Sequence, residues 1–190
     1  MERMLDIFRQ SEALLEGHFI LTSGKHSNRY IQCAKVLQYP HYAEILATEL
    51  AEQVRGYNAS VVIGPAMGGV VLAQEVGGQL GVRAIFSERE QGNMTLRRGF
   101  VINPGERVLV VEDVITTGGS VKEVVQLVKD AGGIPVAVAV LVNRSGGKGN
   151  FGIPLHQLIS LEAVAYMPEQ CPLCEGGTPA VKPGSRNIGS

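Results

Sequence analysis

One stretch of the sequence combines residue types that neither a buried strand nor a surface loop requires together. VLVVEDVITTGGSV, residues 108–121, places Glu112 and Asp113 directly after four aliphatic residues. The loop of small residues that follows, Thr116 to Ser120, lets successive backbone N–H groups converge on a phosphate, helped by the dipole of the next helix. Carboxylates beside such a loop accept hydrogen bonds from sugar hydroxyls or hold a hydrated Mg²⁺. The stretch therefore predicts a site for a ribose 5-phosphate.

A simpler interpretation of the same stretch needs no ligand. A strand, a turn and a helix with Ser120 as its N-cap would also leave two solvated acids at the strand end. The aliphatic strand, the paired acids and the hydroxyl- and glycine-rich loop together favour the ligand site.

The elements around this stretch predict where the site lies. Strands are expected at residues 60–64, 83–86, 107–113 and 134–142, with helices between them. Continuous aliphatic runs are typical of strands covered on both faces, so we expect an α/β fold with a parallel sheet flanked by helices. Ligands bind such sheets beyond the carboxyl ends of the strands, where Glu112 and Asp113 are expected. The chain is expected to form a single domain, with a small hood at about residues 1–35 and a tail at about residues 168–190.

Length, composition and charge narrow the classes of protein to which the chain can belong. Its 190 residues suffice for one domain, and its 45% hydrophobic and 18% charged residues are typical of a globular fold. The net charge of −1 argues against a nucleic-acid surface, and no apolar stretch approaches the ~18–20 residues of a membrane helix. Three cysteines do not form a disulfide framework. We therefore expect a cytoplasmic protein with reduced cysteines and with neither nucleic-acid nor membrane partners.

VLVVEDVITTGGS resembles the phosphoribosyl pyrophosphate (PRPP) signature of the type I phosphoribosyltransferases. The resemblance implies a Rossmann-like sheet with an N-terminal hood, PRPP as a substrate and Mg²⁺ as the cofactor. It places the 5-phosphate in the loop and assigns the ribose hydroxyls and the water shell of the metal to the two acids. The residues that it assigns to PRPP are Glu112, Asp113, Val114, Ile115, Thr116, Thr117, Gly118, Gly119 and Ser120.

Three further motifs are similar to those of the orotate-transferring members of the family. They are LTSGKHSNRYI at residues 21–31, IGPAMGGVVLA at 63–73 and LVNRSGG at 141–147. The resemblance implies that Lys25 binds PRPP, that residues 63–73 form a pyrophosphate loop, and that Thr116 and Arg144 contact orotate. The implied product is orotidine 5′-monophosphate, made in de novo pyrimidine synthesis. Transfer to another base, and PRPP sensing without catalysis, are the alternatives.

The polar segment from Ser87 to Phe100, here called the lid, corresponds to a flexible loop of the family that closes over pyrophosphate. The family's loop often reaches into the site of a neighbouring subunit, which implies a homodimer. The usual loop carries lysines and a histidine, whereas the cations of this lid are Arg89, Arg97 and Arg98. The resemblance implies catalytic roles for these arginines and for Asp113, with solvated surface arginines as the alternative.

A pair of cysteines, Cys171 and Cys174, begins the last motif of the chain. A structural zinc site requires four ligands, and the spacing of Cys33 and of the histidines at positions 18, 26, 41 and 156 does not predict the other two. We therefore expect the tail to pack near the site or a partner subunit. A zinc site shared across a dimer is the alternative.

Overall fold

Helices and strands alternate along most of the chain. The computed structural model describes residues 2–21, 23–146, 149–161 and 164–183, so Thr22 and Gly147 of the motifs above lie outside the described residues. The helices are α1 Glu2–Gln10, α2 Cys33–Leu37, α3 Pro40–Val54, α4 Gly68–Leu80, α5 Gly119–Asp130 and α6 Pro172–Glu175. The strands are β1 Leu14–Ile20, β2 His26–Ile31, β3 Val61–Pro65, β4 Arg83–Glu90, β5 Asn93–Leu96, β6 Arg107–Ile115, β7 Ile134–Asn143, β8 Leu155–Ser160 and β9 Ala165–Tyr166.

A six-stranded sheet with the order β5-β4-β3-β6-β7-β8 forms the centre of the protein. All neighbouring strands in it are parallel except the edge pair of β4 and β5. Strand order reverses between β3 and β6, and the crevice beyond such a reversal is where ligands bind in α/β sheets. The α/β fold with a parallel sheet is confirmed.

Each face of the sheet is covered by its own set of helices. Val108 and Val110 of β6 pack with α5, whereas Leu109 and Val111 pack with α3 and α4. Alternate residues of a strand point to opposite faces, so both faces of β6 must be apolar. This double coverage explains the unbroken aliphatic run that precedes the acids. Among the described residues, no helix has the length and apolar character to cross a membrane.

The hood is built on a second, three-stranded sheet with the order β1-β2-β9. β1 and β2 form an antiparallel hairpin, with Ser23 and Gly24 in the turn between them. β9, which comes just before the tail, pairs with β2 through Ala165 and Tyr166. The tail then returns to β1, where the N–H of Val181 donates to the carbonyl of His18. The hood therefore contains residues from both ends of the sequence.

The lid differs from the irregular loop that the sequence predicted, because it contains a β-hairpin. β4 extends to Glu90, beyond the predicted end of the strand at Phe86, and pairs with β5 from Ser87 to Leu96. Gln91 and Gly92 form the two-residue turn, and both have positive φ angles, 50° and 89°. Turns of this kind match the twist of antiparallel strands. A second edge strand, β8, was also not predicted.

Candidate active site

The phosphate loop, residues 116–120, connects the end of β6 to the beginning of α5. Gly118 is the N-cap of α5 and has a φ of 75°, and no side chain of the described residues forms a capping hydrogen bond. The first N–H groups of a helix have no partner within it, so they remain available to an anion. A polar cavity of about 80 Å³ lies at this point, lined by Glu112 and by residues 114–121. The loop therefore has the donors and the space that a phosphate group requires.

The two acids lie near the end of β6 and project from opposite faces of the strand. Glu112 is 9% exposed and lines the phosphate-loop cavity, while the carboxylate of Asp113 faces Gly68 at the beginning of α4. The N–H of Asp113 donates to Oε1 of Glu112 over 3.2 Å, and the N–H of Val114 donates to Oδ1 of Asp113 over 2.8 Å. The acids are thus held beside each other at the junction of the two loops.

Burial changes the protonation of both carboxyl groups. Desolvation, followed by the charge of Asp113, raises the pKa of Glu112 to about 9. Desolvation also raises the pKa of Asp113. Two adjacent carboxylates, one buried and one partly buried, repel each other, and a cation or hydrogen-bond donors would relieve this repulsion. The pair is therefore suited to binding a partner that carries positive charge or donates hydrogen bonds.

The pyrophosphate loop packs tightly against Asp113. A Cβ atom at Gly68 would lie 2.5 Å from Cγ and Oδ2 of Asp113, which is closer than two such atoms can approach. Gly69 is equally constrained, because a Cβ there would lie 2.8 Å from Cδ of Pro65. Glycine at position 68 thus lets the carboxylate reach the beginning of α4. The sequence motif did not reveal this contact between the two loops.

Arg144 follows β7 at the same edge of the sheet. Its N–H donates to the carbonyl of Ile115 over 2.8 Å, which fixes it beside the phosphate loop. Desolvation lowers the pKa of the half-buried guanidinium, and the side chains of Cys33 and Tyr30 act in the opposite direction. Arg144 thus lies between the sheet and residues of the hood, where a planar anionic ligand could pair with it.

Cys33 is a site residue that the sequence did not single out. Its Sγ lies 3.7 Å from the carbonyl oxygen of Asp113, and the side chain is 3% exposed. Burial, followed by the charges of Asp113 and Glu112, raises the pKa of the thiol well above its usual value. The thiol is therefore neutral and packs as an apolar group beneath the acids. Because this contact joins residues 80 positions apart, no local signal predicts it.

The arginines of the lid are paired with acids of the same chain. Arg89 forms a two-pronged contact with Glu123 of α5, with distances of 2.8 and 2.9 Å. Glu123 lies one helical turn after Ser120, so Arg89 is near the phosphate loop. The other two arginines pair within the lid itself, Arg97 with Glu90 at 3.5 Å and Arg98 with Glu88 at 2.8 Å. Of the three arginines, Arg89 is thus the one that pairs with the helix following the phosphate loop.

Most of the predicted site residues lie at one edge of the sheet. The others belong to the hood and the lid. The acids, the phosphate loop and Arg144 meet at the carboxyl ends of β6 and β7. Lys25 lies in the turn that precedes β2, with an exposed side chain.

Comparison with known proteins gives a consistent result. Residues 37–152 match the phosphoribosyl transferase domain family. The chain is 62% identical over 187 residues to the orotate phosphoribosyltransferase of Heliobacterium modesticaldum. The matched residues cover 97% of this chain and 98% of that protein. The orotate phosphoribosyltransferase of Caldanaerobacter subterraneus subsp. tengcongensis is 57% identical over 187 residues, covering 98% of each chain. The crystal structure of orotate phosphoribosyltransferase from Aeropyrum pernix matches with a TM-score of 0.72 at 27% identity, over 84% of this chain and 94% of that chain.

Proposed function

Because the chain belongs to the orotate phosphoribosyltransferases of the phosphoribosyl transferase family, we propose that its active site lies at the carboxyl ends of β6 and β7. PRPP and orotate are the substrates, and orotidine 5′-monophosphate and pyrophosphate are the products. The 5-phosphate of PRPP binds to the amides and hydroxyls of residues 116–120, because these groups line a polar cavity at an uncapped helix N-terminus. Glu112 and Asp113 accept hydrogen bonds from the ribose hydroxyls.

Orotate is proposed to bind between the sheet and the hood. Arg144 offers a planar fork of donors to the anionic edge of the base, and its partial burial strengthens such a pairing. Thr116 directly follows β6, the strand next to β7, and is exposed. Tyr30 and Lys25 of the hood are proposed to extend the site, with Lys25 binding PRPP.

The two buried acids fit the Mg²⁺ that the family implies. The pKa of each carboxyl group is raised because desolvation disfavours its negative charge, and a nearby cation would compensate for this. Carboxylate oxygens and the water molecules they orient are preferred ligands of Mg²⁺. Glu112 and Asp113 would hold the ion through its water shell. When bound, the ion would neutralise charge on the pyrophosphate group of PRPP.

The chemistry proposed for the lid follows from the movement of charge. As the bond from the anomeric carbon to pyrophosphate breaks and the bond to the base nitrogen forms, positive charge develops on the ribose and negative charge on the leaving group, and the nitrogen gives up its proton to the departing pyrophosphate or to solvent. Arg89 stabilises that leaving group after its pairing with Glu123 opens. Arg97 and Arg98 are assigned the supporting role of closing the lid and excluding water.

The observation that carries this proposal is the polar cavity formed by an uncapped helix N-terminus beside two buried acids. The test is to mix purified protein and Mg²⁺·PRPP separately with orotate, uracil, adenine and hypoxanthine and to follow pyrophosphate release. We expect release with orotate and none with the other bases. Activity with a purine or uracil but not with orotate would contradict the choice of base, and PRPP binding without release would indicate a sensor.

Substitution of Gly118 tests the phosphate loop. In Gly118→Ala, the new Cβ would lie 2.8 Å from two ring atoms of Phe151, at a φ of 75°. We expect the affinity for PRPP to fall about tenfold or more as the loop amides shift. Gly81→Ala is the matched control, because Gly81 has a φ of 69° and open space around it. Both variants should lose about 1–2 kcal/mol of stability, but only Gly118→Ala should lose affinity in calorimetric titrations.

Binding of PRPP should release a proton from the acid pair. In the free protein the pKa of Glu112 is raised to about 9, so near neutral pH this carboxyl group is protonated. Ribose hydroxyls and Mg²⁺ favour its ionised form and lower its pKa in the complex, so affinity rises with pH until the free group ionises. Titration calorimetry at about pH 8 in two buffers of different ionisation enthalpy should detect the release. It should disappear in Glu112→Gln, and its persistence there would assign the proton to another group.

Two further proposals concern the assembly and its surroundings. A homodimer is proposed because an apolar groove of about 380 Å³, lined in part by Val71, Phe86 and Phe100, lies beside the lid. The cytoplasm is proposed as the compartment because the cysteines at positions 33, 171 and 174 form no disulfide in the described structure.

A further inference from the structure

Four potential metal ligands meet where the tail crosses the hood. They are His18 of β1, His26 of β2, and the cysteines at positions 171 and 174, whose ligand atoms all lie within 4.8 Å of one another. The sequence did not predict this cluster, because its halves are separated by about 150 residues and the histidines lack a recognised ligand spacing. The hairpin explains how the two histidines meet. β1 and β2 pair Ile20 with His26, and His18, two residues before Ile20, contacts His26.

The distances within the cluster are close to those between ligands of one ion, although the two histidine nitrogens lie nearer to each other than in such a site. Cys171 Sγ lies 3.5 Å from His18 Nε2, and Cys174 Sγ lies 3.7 Å from His18 Nε2 and 3.2 Å from His26 Nδ1. The two ring nitrogens that face each other are 2.8 Å apart. In a tetrahedral zinc site, neighbouring nitrogen and sulfur ligands lie roughly 3.3–3.8 Å apart, given Zn–N bonds of about 2.0–2.1 Å and Zn–S bonds of about 2.3 Å. Small movements would bring all four atoms to that geometry.

The surroundings orient the ligand atoms towards the centre of the cluster. His18 Nδ1 lies 2.7 Å from the carbonyl oxygen of Thr178, to which it can only donate. The proton is then on Nδ1, and the lone pair of Nε2 points at the cysteines. A backbone carbonyl that fixes the tautomer of a histidine in this way is a common outer contact of zinc ligands. His18, His26 and Cys171 are 3%, 8% and 1% exposed, whereas Cys174 lies on the exposed side of the cluster.

We propose that His18, His26, Cys171 and Cys174 form a structural zinc site that fastens the tail to the hood. Two imidazoles and two thiolates are a preferred ligand set for Zn²⁺, and four protein ligands leave no open position for catalysis. The two alternatives to a metal site are a disulfide between the cysteines and a metal-free hydrogen-bonded cluster. The test below distinguishes them.

The position of the cluster indicates what the metal does for the protein. On the tail side, the N–H of Val181 donates to the carbonyl of His18, and the N–H of Ile20 donates to the carbonyl of Val181, both over 2.8 Å. On the hood side, His26 is the first residue of β2 and immediately follows Lys25 of the turn. The metal thus joins the two ends of the chain at the base of the turn. If the proposed function holds, its removal should weaken substrate binding more than it slows turnover.

The experiment begins with the intact protein, purified without chelators. Elemental analysis and native mass spectrometry should find about one zinc per chain. Cys171→Ser and Cys174→Ser should each lose it, whereas His41→Ala, which changes an exposed histidine outside the cluster, should retain it. Wild-type protein that holds no metal after incubation with Zn²⁺ and dialysis, or that contains a Cys171–Cys174 disulfide under reducing conditions, would overturn the proposal.

Two measurements on wild-type protein do not depend on the folding of any variant. Protein loaded with Co²⁺ should show the visible absorption of a tetrahedral ion with thiolate ligands. Chelation of the zinc should lower the midpoint of thermal unfolding by about 10 °C, and Zn²⁺ should restore it. A Co²⁺ spectrum typical of octahedral oxygen ligands would contradict the ligand set. Loss of zinc with an unchanged midpoint would contradict its structural role. These readouts are independent of activity, so they separate this proposal from the proposed function.

Discussion

Replacing Asp113 by asparagine is expected to lower kcat/KM for PRPP by about 10³-fold, the largest effect of any single change to the site. Asp113 faces Gly68 of the pyrophosphate loop and receives the N–H of Val114, and an asparagine side chain at this position fits the same space. Its amide lacks the negative charge that the ribose hydroxyls and the hydrated cation require. Steady-state kinetics with PRPP varied and orotate saturating measure the loss.

The matched control is Asp130→Asn, because Asp130 lies at the other end of α5 and contacts only Gln126 among the hydrogen bonds of its side chain in the described structure. It should stay within about twofold of the wild type. Because burial raises the pKa of Asp113, the asparagine variant should be no less stable than the wild type in thermal unfolding. Activity of Asp113→Asn within about threefold of the wild type would remove Asp113 from the site.

Replacing Arg89 by alanine is expected to lower kcat by about 10²-fold and to leave the affinity for PRPP nearly unchanged. In the described conformation, Arg89 is held by Glu123, an exposed pairing that contributes little to stability. Its proposed contact with pyrophosphate strengthens only as the leaving group gains charge, so the loss should appear in turnover. Arg55→Ala is the matched control, because Arg55 forms a similar exposed pair with Glu52 at 2.8 Å and lies outside the lid and the phosphate loop. Unchanged turnover in Arg89→Ala would exclude Arg89 from the mechanism.

Mixing two inactive variants tests whether the lid serves the neighbouring subunit. If Arg89 acts across a dimer, a hybrid of Arg89→Ala and Asp113→Asn subunits contains one site with both defects and one site with neither. Random mixing should then restore about a quarter of wild-type activity, because half of the dimers are hybrids with one intact site. If Arg89 serves its own subunit, as its pairing with Glu123 favours, every site keeps a defect and no activity returns.

Local signals predicted the centre of the site. The aliphatic run of β6 and the glycines at the beginning of α5 act over a few residues, so the predicted strand, with both acids near its end, and the helix after it are observed, while the binding roles of these residues stay predictions. α3 begins at Pro40, a local signal of the same kind, since proline favours the first turn of a helix. These features depend on neighbours in the sequence rather than on the tertiary structure.

The features that the sequence did not predict depend on contacts between distant residues. The lid hairpin was missed because its strands are polar, and only their pairing across Gln91 and Gly92 makes them strands. The metal cluster was missed because His18 and His26 meet the cysteines only after the tail has crossed the hood. Likewise, the raised pKa of Glu112 arises from burial in the folded protein.

A crystal structure with ribose 5-phosphate would show whether residues 116–120 bind a phosphate group. We predict that its phosphate occupies the cavity at the beginning of α5, within hydrogen-bond distance of the amides of residues 117–120. The ribose hydroxyls should then face the carboxylates of Glu112 and Asp113. A sugar phosphate bound elsewhere, with that cavity filled by solvent or by the protein's own side chains, would contradict the account.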